Sequence, residues 1–111
     1  VISSAPGKQG HITGAKADEL TSSRNAMPDA VLFDETGATG KAYDAKTTPH
    51  MYVIDKKGVL QYMGGIDSIP SAKVDDIAKA TPYFSDALTA VLAGNPANPA
   101  VTKPYGFSIK Y

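Results

Sequence analysis

The sequence contains no cysteine among its 111 residues. Without a thiol, these residues cannot form a disulfide, offer a thiolate ligand to a metal ion, or supply a thiol nucleophile. The absence of cysteine does not indicate a cellular compartment, because chains without disulfides occur in both oxidising and reducing compartments. The missing thiol is the strongest single constraint on what chemistry these residues can perform.

An excess of charge of either sign is also missing. Lysine plus arginine and aspartate plus glutamate each number 11, which gives a formal net charge of zero. Nucleic-acid binding and polybasic membrane contacts both draw on a local concentration of positive charge. We therefore expect neither a nucleic-acid partner nor an electrostatic contact with a membrane surface.

Long apolar runs are absent as well. The longest, residues 87–93, is interrupted by Thr89 and is far shorter than the roughly 20 residues that a membrane-spanning helix needs. We expect no membrane insertion, and no signal peptide is visible. A length of 111 residues and a hydrophobic content of 42% are those of one ordinary globular domain.

Hydrophobic periodicity and capping residues predict alternating helices and strands. The predicted helices span residues 15–26, 40–45, 73–80 and 82–92, and the predicted strands span residues 1–2, 30–33, 51–54, 59–63 and 105–111. Thr13 is the expected cap of the first helix, whereas the last helix has Thr81 as cap and Gly94 at its end. The apolar face of the last helix is predicted to hold Phe84, Leu88, Val91 and Leu92. This order is typical of an α/β layer architecture around a central sheet.

Residues 47–67 form the most informative stretch. It begins with the letters TTPH at residues 47–50, so that a proline enters a run of apolar and β-branched residues. The turn signal DKKG at residues 55–58 separates the two apolar runs. This pattern predicts a β-hairpin that directly follows Pro49.

Several segments together resemble one protein family. They read MPDAVLFD at residues 27–34, GKAYDA at 40–45, TTPHMYVID at 47–55 and GID at 65–67, with SSAPGKQG at 3–10 and PYG at 104–106 on the flanks. They are similar to the redoxin (alkyl hydroperoxide reductase/thiol-specific antioxidant) branch of the thioredoxin-like superfamily. The likeness covers nearly the whole chain, and the Thr-Pro-His segment with its hairpin is its most specific part.

The resemblance implies a partial thioredoxin-like α/β fold, with one redoxin domain over residues 1–111 and an extended tail over residues 95–111. In this family the first strand and the helix that bears the redox cysteine come earlier in the chain. We therefore expect them upstream of Val1, with this chain as the C-terminal two-thirds. Because the missing strand is central in the family's sheet, its absence would expose two strand edges, and we expect self-association through them.

The resemblance also implies a site. Thr48, Pro49 and His50 would form a substrate-docking corner, with a cis Thr48–Pro49 bond facing the redox cysteine. A fold can hold an X–Pro bond cis because the trans preference is only about 0.5–1 kcal/mol. The backbone of the residue before proline would then pair with an extended substrate. The alternatives are a proline that starts an edge strand and a half-buried strand histidine, in place of a histidine that tunes a thiolate.

Other chemistries find little support in the residues. Two histidines and scattered carboxylates lack metal-ligand spacing, so we expect no metal site. Gly37 and Gly40 form no phosphate loop, and no cofactor is indicated. Asp34, Asp55 and Asp67 each follow an apolar run and are interpreted as turn residues in preference to acid–base pairs.

Two functions are compatible with the resemblance. The first is thiol–disulfide exchange or peroxide reduction by a parent protein whose cysteine lies upstream, with a thiol or disulfide protein or a peroxide as substrate. These residues would then be redox-inert alone. The second is a non-catalytic thioredoxin-like binding module, because members of the group tend to carry cysteine at the position of Phe107. Relatives are often exported, so the likeness favours the bacterial cell envelope over the cytoplasm.

Overall fold

The computed structural model of the chain describes Ile2 and residues 4–111. It forms two units: unit 1 consists of Val1–Ala45 with Ile109–Tyr111, and unit 2 consists of Lys46–Ser108. The described residues contain helices and small antiparallel sheets, so the α/β class is confirmed at this level.

Helix α1, Gly14–Ser23, lies in unit 1 and begins where the sequence predicts. The Thr13 hydroxyl accepts a hydrogen bond from the Lys16 backbone N–H at 3.2 Å, which satisfies a donor that has no partner inside the helix. The helix ends three residues before the predicted residue 26. Asn25 adopts a φ of 52°, which a right-handed helix cannot contain.

Asp34 organises the start of helix α2, Ala38–Ala42. Asp34 is 7% exposed, and its carboxylate accepts the backbone N–H groups of Thr39 at 3.1 Å and Gly40 at 2.7 Å. The Gly37 N–H donates to the Asp34 carbonyl at 3.0 Å, which closes the turn. The interpretation of Asp34 as a turn residue is therefore confirmed, and the same carboxylate caps the helix that follows.

The predicted strand over residues 30–33 is wrong in extent. Phe33 forms an isolated parallel bridge with Ile2, and the Asp34 N–H donates to the Ile2 carbonyl at 2.8 Å. Val1, the other residue of the predicted first strand, lies outside the described residues. A parallel ladder extends through several evenly spaced bonds, and a single bridge leaves the apolar side chains of this run exposed.

Unit 2 contains strand β1, Thr47–Thr48, followed by strand β2, Met51–Ile54, and strand β3, Leu60–Gly64. The predicted hairpin is confirmed, since β2 and β3 pair antiparallel from Met51 opposite Gly64 to Ile54 opposite Leu60. The hairpin therefore starts two residues after Pro49, as the sequence pattern indicates.

Asp55 builds the turn of this hairpin. Its Oδ1 accepts the backbone N–H groups of Lys57 at 2.8 Å and Val59 at 3.0 Å, and its Oδ2 accepts from the Gln61 amide at 2.9 Å. The bond from Val59 contributes most to lowering the pKa of Asp55, followed by the bond from Gln61. The turn interpretation is confirmed here too.

Helix α3, Val74–Ile77, is shorter than predicted, and helix α4, Tyr83–Leu92, follows it. Pro82 occupies the capping position where the sequence predicted Thr81, and the Thr81 backbone N–H and carbonyl bond to Ser68. Gly94 has a φ of 80° and follows the end of α4, as predicted.

Helix α4 packs on the hairpin. The buried cluster consists of Val53, Tyr62, Ala87 and Ala97, with Met51, Tyr83, Phe84 and Val91 packed against it. The predicted apolar face is wrong for two members, because Leu88 is partly exposed and Leu92 is 80% exposed. Phe84, Ala87 and Val91 follow the i, i+3, i+7 spacing of one helical stripe, and Leu92 lies beside it.

The described strands form two separate two-stranded antiparallel sheets, and the predicted single central sheet is absent from them. One sheet is the β2–β3 hairpin. The other joins β1 to strand β4, Phe107–Ser108, in the tail. No helix in the described part of the chain is long and apolar enough to cross a membrane.

Candidate functional site

Two segments of the family resemblance, TTPH and PYG, meet in unit 2. Residues 47–50, called here the Thr-Pro corner, lie beside the tail because β1 pairs antiparallel with β4. Thr47 is opposite Ser108, and Thr48 is opposite Phe107. The predicted site residues are thus next to the PYG segment, which lies more than fifty positions away in the sequence.

The Thr48–Pro49 peptide bond is cis, as expected from the resemblance. Both residues are exposed at the surface of unit 2. The Thr47 hydroxyl donates to the Pro49 carbonyl at 2.8 Å, which closes the corner locally. A role of this corner in substrate docking stays a prediction.

His50 is half-buried between the corner and β2. Its Nδ1 accepts the Lys46 backbone N–H at 3.2 Å, and its ring stacks on Tyr52 with 4.7 Å between ring centroids. Because Nδ1 accepts, the neutral ring carries its proton on Nε2. His50 is thus a packed histidine at the start of a strand, and nothing in these contacts requires a thiolate.

Gly106 is the point at which the tail crosses the corner. A Cβ at this position would collide with the Thr48 carbonyl oxygen and lie 2.8 Å from the Thr48 carbonyl carbon and 3.2 Å from Pro49 Cδ. Gly106 also has a φ of 141°, which side chains rarely adopt. Only glycine fits here without displacing either the tail or the corner.

Phe107 follows this crossing, and its ring is 81% exposed. Phenylalanine is among the residue types most often buried in folded proteins. The structure places this apolar residue opposite Thr48, beside the exposed residues of the corner.

Tyr105 fixes the tail immediately before the crossing. Its hydroxyl donates to Asp67 Oδ1 at 2.5 Å, and the same oxygen accepts the Ile69 N–H at 3.1 Å. The bond to Asp67, together with burial, raises the pKa of Tyr105 to about 12. The predicted turn role of Asp67 is confirmed by Ile69, and the bond to Tyr105 gives it a second role.

A second polar anchor holds the tail further upstream. The Tyr62 hydroxyl donates to the Gly65 carbonyl at 2.6 Å and lies 2.6 Å from Thr102 Oγ1, which also accepts the Gly65 N–H at 3.0 Å. Since the Tyr62 proton is directed at Gly65, the Thr102 hydroxyl donates to Tyr62. The tail therefore approaches the corner along a fixed path.

Sequence reasoning did not include Asp67, Tyr105 and Gly106 among the site residues. They stood in two of the matching segments, GID and PYG, so their family likeness was a signal. The contact between Tyr105 and Asp67 joins residues 38 positions apart, and no local pattern predicts such a pairing.

Comparison with protein-family models, with curated proteins and with solved structures gives no match to this chain. The redoxin resemblance accordingly depends on the quoted segments, and the site depends on the contacts within unit 2.

We expect Tyr105 to ionise at unusually high pH. The raised pKa means that the fold favours the protonated phenol, so the Tyr105–Asp67 bond contributes fully below about pH 10, the ordinary tyrosine range. Its contribution is lost as the pH rises towards the Tyr105 pKa of about 12. The measurement is a phenolate absorbance titration of the wild type against Tyr105→Phe.

The Asp67→Asn variant is the matched control for this titration. Removing the carboxylate charge should lower the pKa of Tyr105 towards the ordinary range. The difference in phenolate absorbance between wild type and Tyr105→Phe reports the ionisation of Tyr105. If that difference developed at the pH of an ordinary tyrosine, the bond to Asp67 would be absent in solution.

Proposed function

We propose that this chain is the substrate-docking part of a thiol-dependent oxidoreductase with a thioredoxin-like fold. The parent protein would act by thiol–disulfide exchange or by peroxide reduction, on a thiol or disulfide protein or on a peroxide. The 111 residues contain no cysteine, so the reactive sulfur would come from polypeptide outside them.

One observation carries this proposal. The Thr-Pro corner and the PYG tail, which contribute separately to the family likeness, are adjacent through the pairing of Thr48 with Phe107. Two segments of one family's pattern have no local reason to meet, so their contact supports a shared site. Thr48 and Pro49 are exposed, so their side chains are accessible at the surface of unit 2.

The role of this chain in the reaction would be positioning. Strand edges bind extended polypeptides through backbone hydrogen bonds, which are tolerant of sequence. A corner that holds such a chain would present its disulfide or thiol to the sulfur supplied from outside. His50 is packed on Tyr52 and bonded to the Lys46 N–H, so it would support the corner and leave proton transfer to other groups.

A non-catalytic binding module is the second candidate. The observation that favours it is Phe107, an 81% exposed aromatic ring at a position where relatives tend to carry a thiol. Aromatic anchors contribute strongly to protein–protein contacts. Such a module would bind a protein at the corner without any turnover.

The test compares this chain with its parent reading frame. The 111 residues alone should neither reduce insulin disulfides nor consume hydrogen peroxide above the buffer rate, since they contain no thiol. The parent frame should encode a Cys-x-x-Cys or Cys-Pro-Phe-Val-like segment before Val1, and replacing its first cysteine by serine should abolish turnover. Activity of the 111 residues, or a parent frame without such a cysteine, would refute the oxidoreductase.

A further inference from the structure

We propose that strand β4 is an intramolecular competitor: the tail occupies the β1 edge of the Thr-Pro corner and must leave before an extended peptide can pair there. The inference rests on the proposed function only in assigning peptide docking to this corner. It requires no thiol chemistry.

The pairing itself is the first step. Thr48 precedes Pro49 and is the residue whose backbone was expected to pair with a substrate, yet it lies opposite Phe107 in an antiparallel sheet. A second extended chain cannot form the same ladder while β4 is present. The edge is therefore already filled by residues of this chain.

The weakness of that pairing is the second step. β4 has two residues, both exposed, so neither side chain buries apolar surface that would hold the strand in place. Segments with exposed backbone bonds and few buried contacts open at low free-energy cost. The two residues of β4 can thus open locally between two anchors. The Tyr105–Asp67 bond holds the chain before β4, and the bonds from the Ala5 N–H to the Lys110 carbonyl and from the Tyr111 hydroxyl to the Ala45 carbonyl hold the chain after it.

The crossing at Gly106 is the third step, and it indicates the ligand. A side chain there would collide with the Thr48 carbonyl. A peptide that replaces the tail in the same register must also have glycine at that position. The expected ligand is an extended polypeptide with glycine at that position, and the tail sequence PYGFSIKY at residues 104–111 is one such sequence.

The covalent attachment of the tail determines how strongly it competes with a free peptide. A segment attached by a short linker acts at an effective concentration on the order of millimolar. In the wild type, the docked tail therefore outcompetes a free peptide at micromolar concentration for the β1 edge. Undocking the tail should raise the apparent affinity for the peptide at least about tenfold.

The experiment uses the full chain and a fluorescein-labelled synthetic peptide of the tail sequence. Gly106→Ala should undock the tail, and fluorescence polarisation should then show binding at least about tenfold tighter than to the wild type. Gly94→Ala is the control, because Gly94 also has positive φ but has nothing within 4 Å of the added Cβ. A peptide with alanine in place of its glycine should bind none of the proteins.

A second variant separates undocking from misfolding. Phe107→Pro removes the backbone donor opposite Thr48 without adding a side chain at the crossing, and it should bind the peptide as Gly106→Ala does. Far-UV circular dichroism checks folding, and amide hydrogen exchange at Thr47–Thr48 reports undocking. If Gly106→Ala and Phe107→Pro both left that exchange unchanged, or exposed the edge without any gain in peptide binding, the competitor role would be overturned.

The result is independent of the redox test. Peptide binding by the undocked variants, together with a parent protein that lacks turnover, would keep the competitor role and remove the oxidoreductase. Redox turnover by the parent without peptide binding at the β1 edge would support the oxidoreductase and overturn the competitor role.

Discussion

Replacing Tyr62 by alanine should lower the free energy of unfolding by about 3–5 kcal/mol. Tyr62 is 1% exposed, and its ring belongs to the buried cluster that joins the hairpin to α4. Protein interiors are close-packed, so the removed ring leaves a cavity that the surrounding side chains fill only in part. Urea unfolding followed by far-UV circular dichroism would measure the loss through the shifted midpoint.

Two further variants divide this loss into its causes. Tyr62→Phe keeps the ring but removes the hydroxyl that bonds to Gly65 and Thr102, and it should cost about 1–3 kcal/mol. Val59→Ala, at an exposed position of the same hairpin, should change stability by at most about 0.5 kcal/mol. A Tyr62→Ala loss no larger than that of Val59→Ala would mean that Tyr62 is not packed in solution.

Replacing Gly64 by alanine should cost about 3 kcal/mol or more, from steric overlap and backbone strain together. The added Cβ would collide with Thr102 Oγ1 and lie 2.6 Å from the Thr102 carbonyl oxygen and 2.8 Å from its nitrogen. Thr102 cannot retreat easily, because its N–H donates to the Met63 carbonyl at 3.1 Å. The same unfolding experiment measures the loss.

Gly58→Ala is the control for the Gly64 variant. Gly58 also has positive φ, 78°, but a Cβ there would have nothing within 4 Å. Gly58→Ala should lower the free energy of unfolding by only about 1–2 kcal/mol, the cost of placing a side chain on a left-handed backbone. Equal losses at the two glycines would contradict the steric account and leave backbone strain as the whole effect.

Local chemistry predicted part of the fold correctly. The Thr13 cap, the Asp55 turn and the positive φ of Gly94 each depend on residues within a few positions, and each is present. Helix α4 was located by its spacing, but its apolar face was misassigned at Leu88 and Leu92. Periodicity shows that an apolar stripe exists, whereas which of two neighbouring stripes is buried depends on contacts with the hairpin, and these bury Ala87.

Contacts between distant residues were beyond sequence reasoning. The strand predicted over residues 30–33 needed partners that the described residues do not supply. The Thr48–Phe107 pairing and the Tyr105–Asp67 bond each close a long loop, and many alternative pairings have the same local propensity. The resemblance identified the corner residues, and the structure shows that the tail pairs with Thr48.

The solvent exposure of Phe107 has a practical consequence. Because the chain lacks cysteine, Phe107→Cys would create a unique attachment point for a nitroxide or a small fluorophore. The existing side chain there is 81% exposed, so a label would project into water and disturb little of the interior. Its rotational mobility would then report, on one molecule and in real time, when the strand beside Thr48 leaves its place.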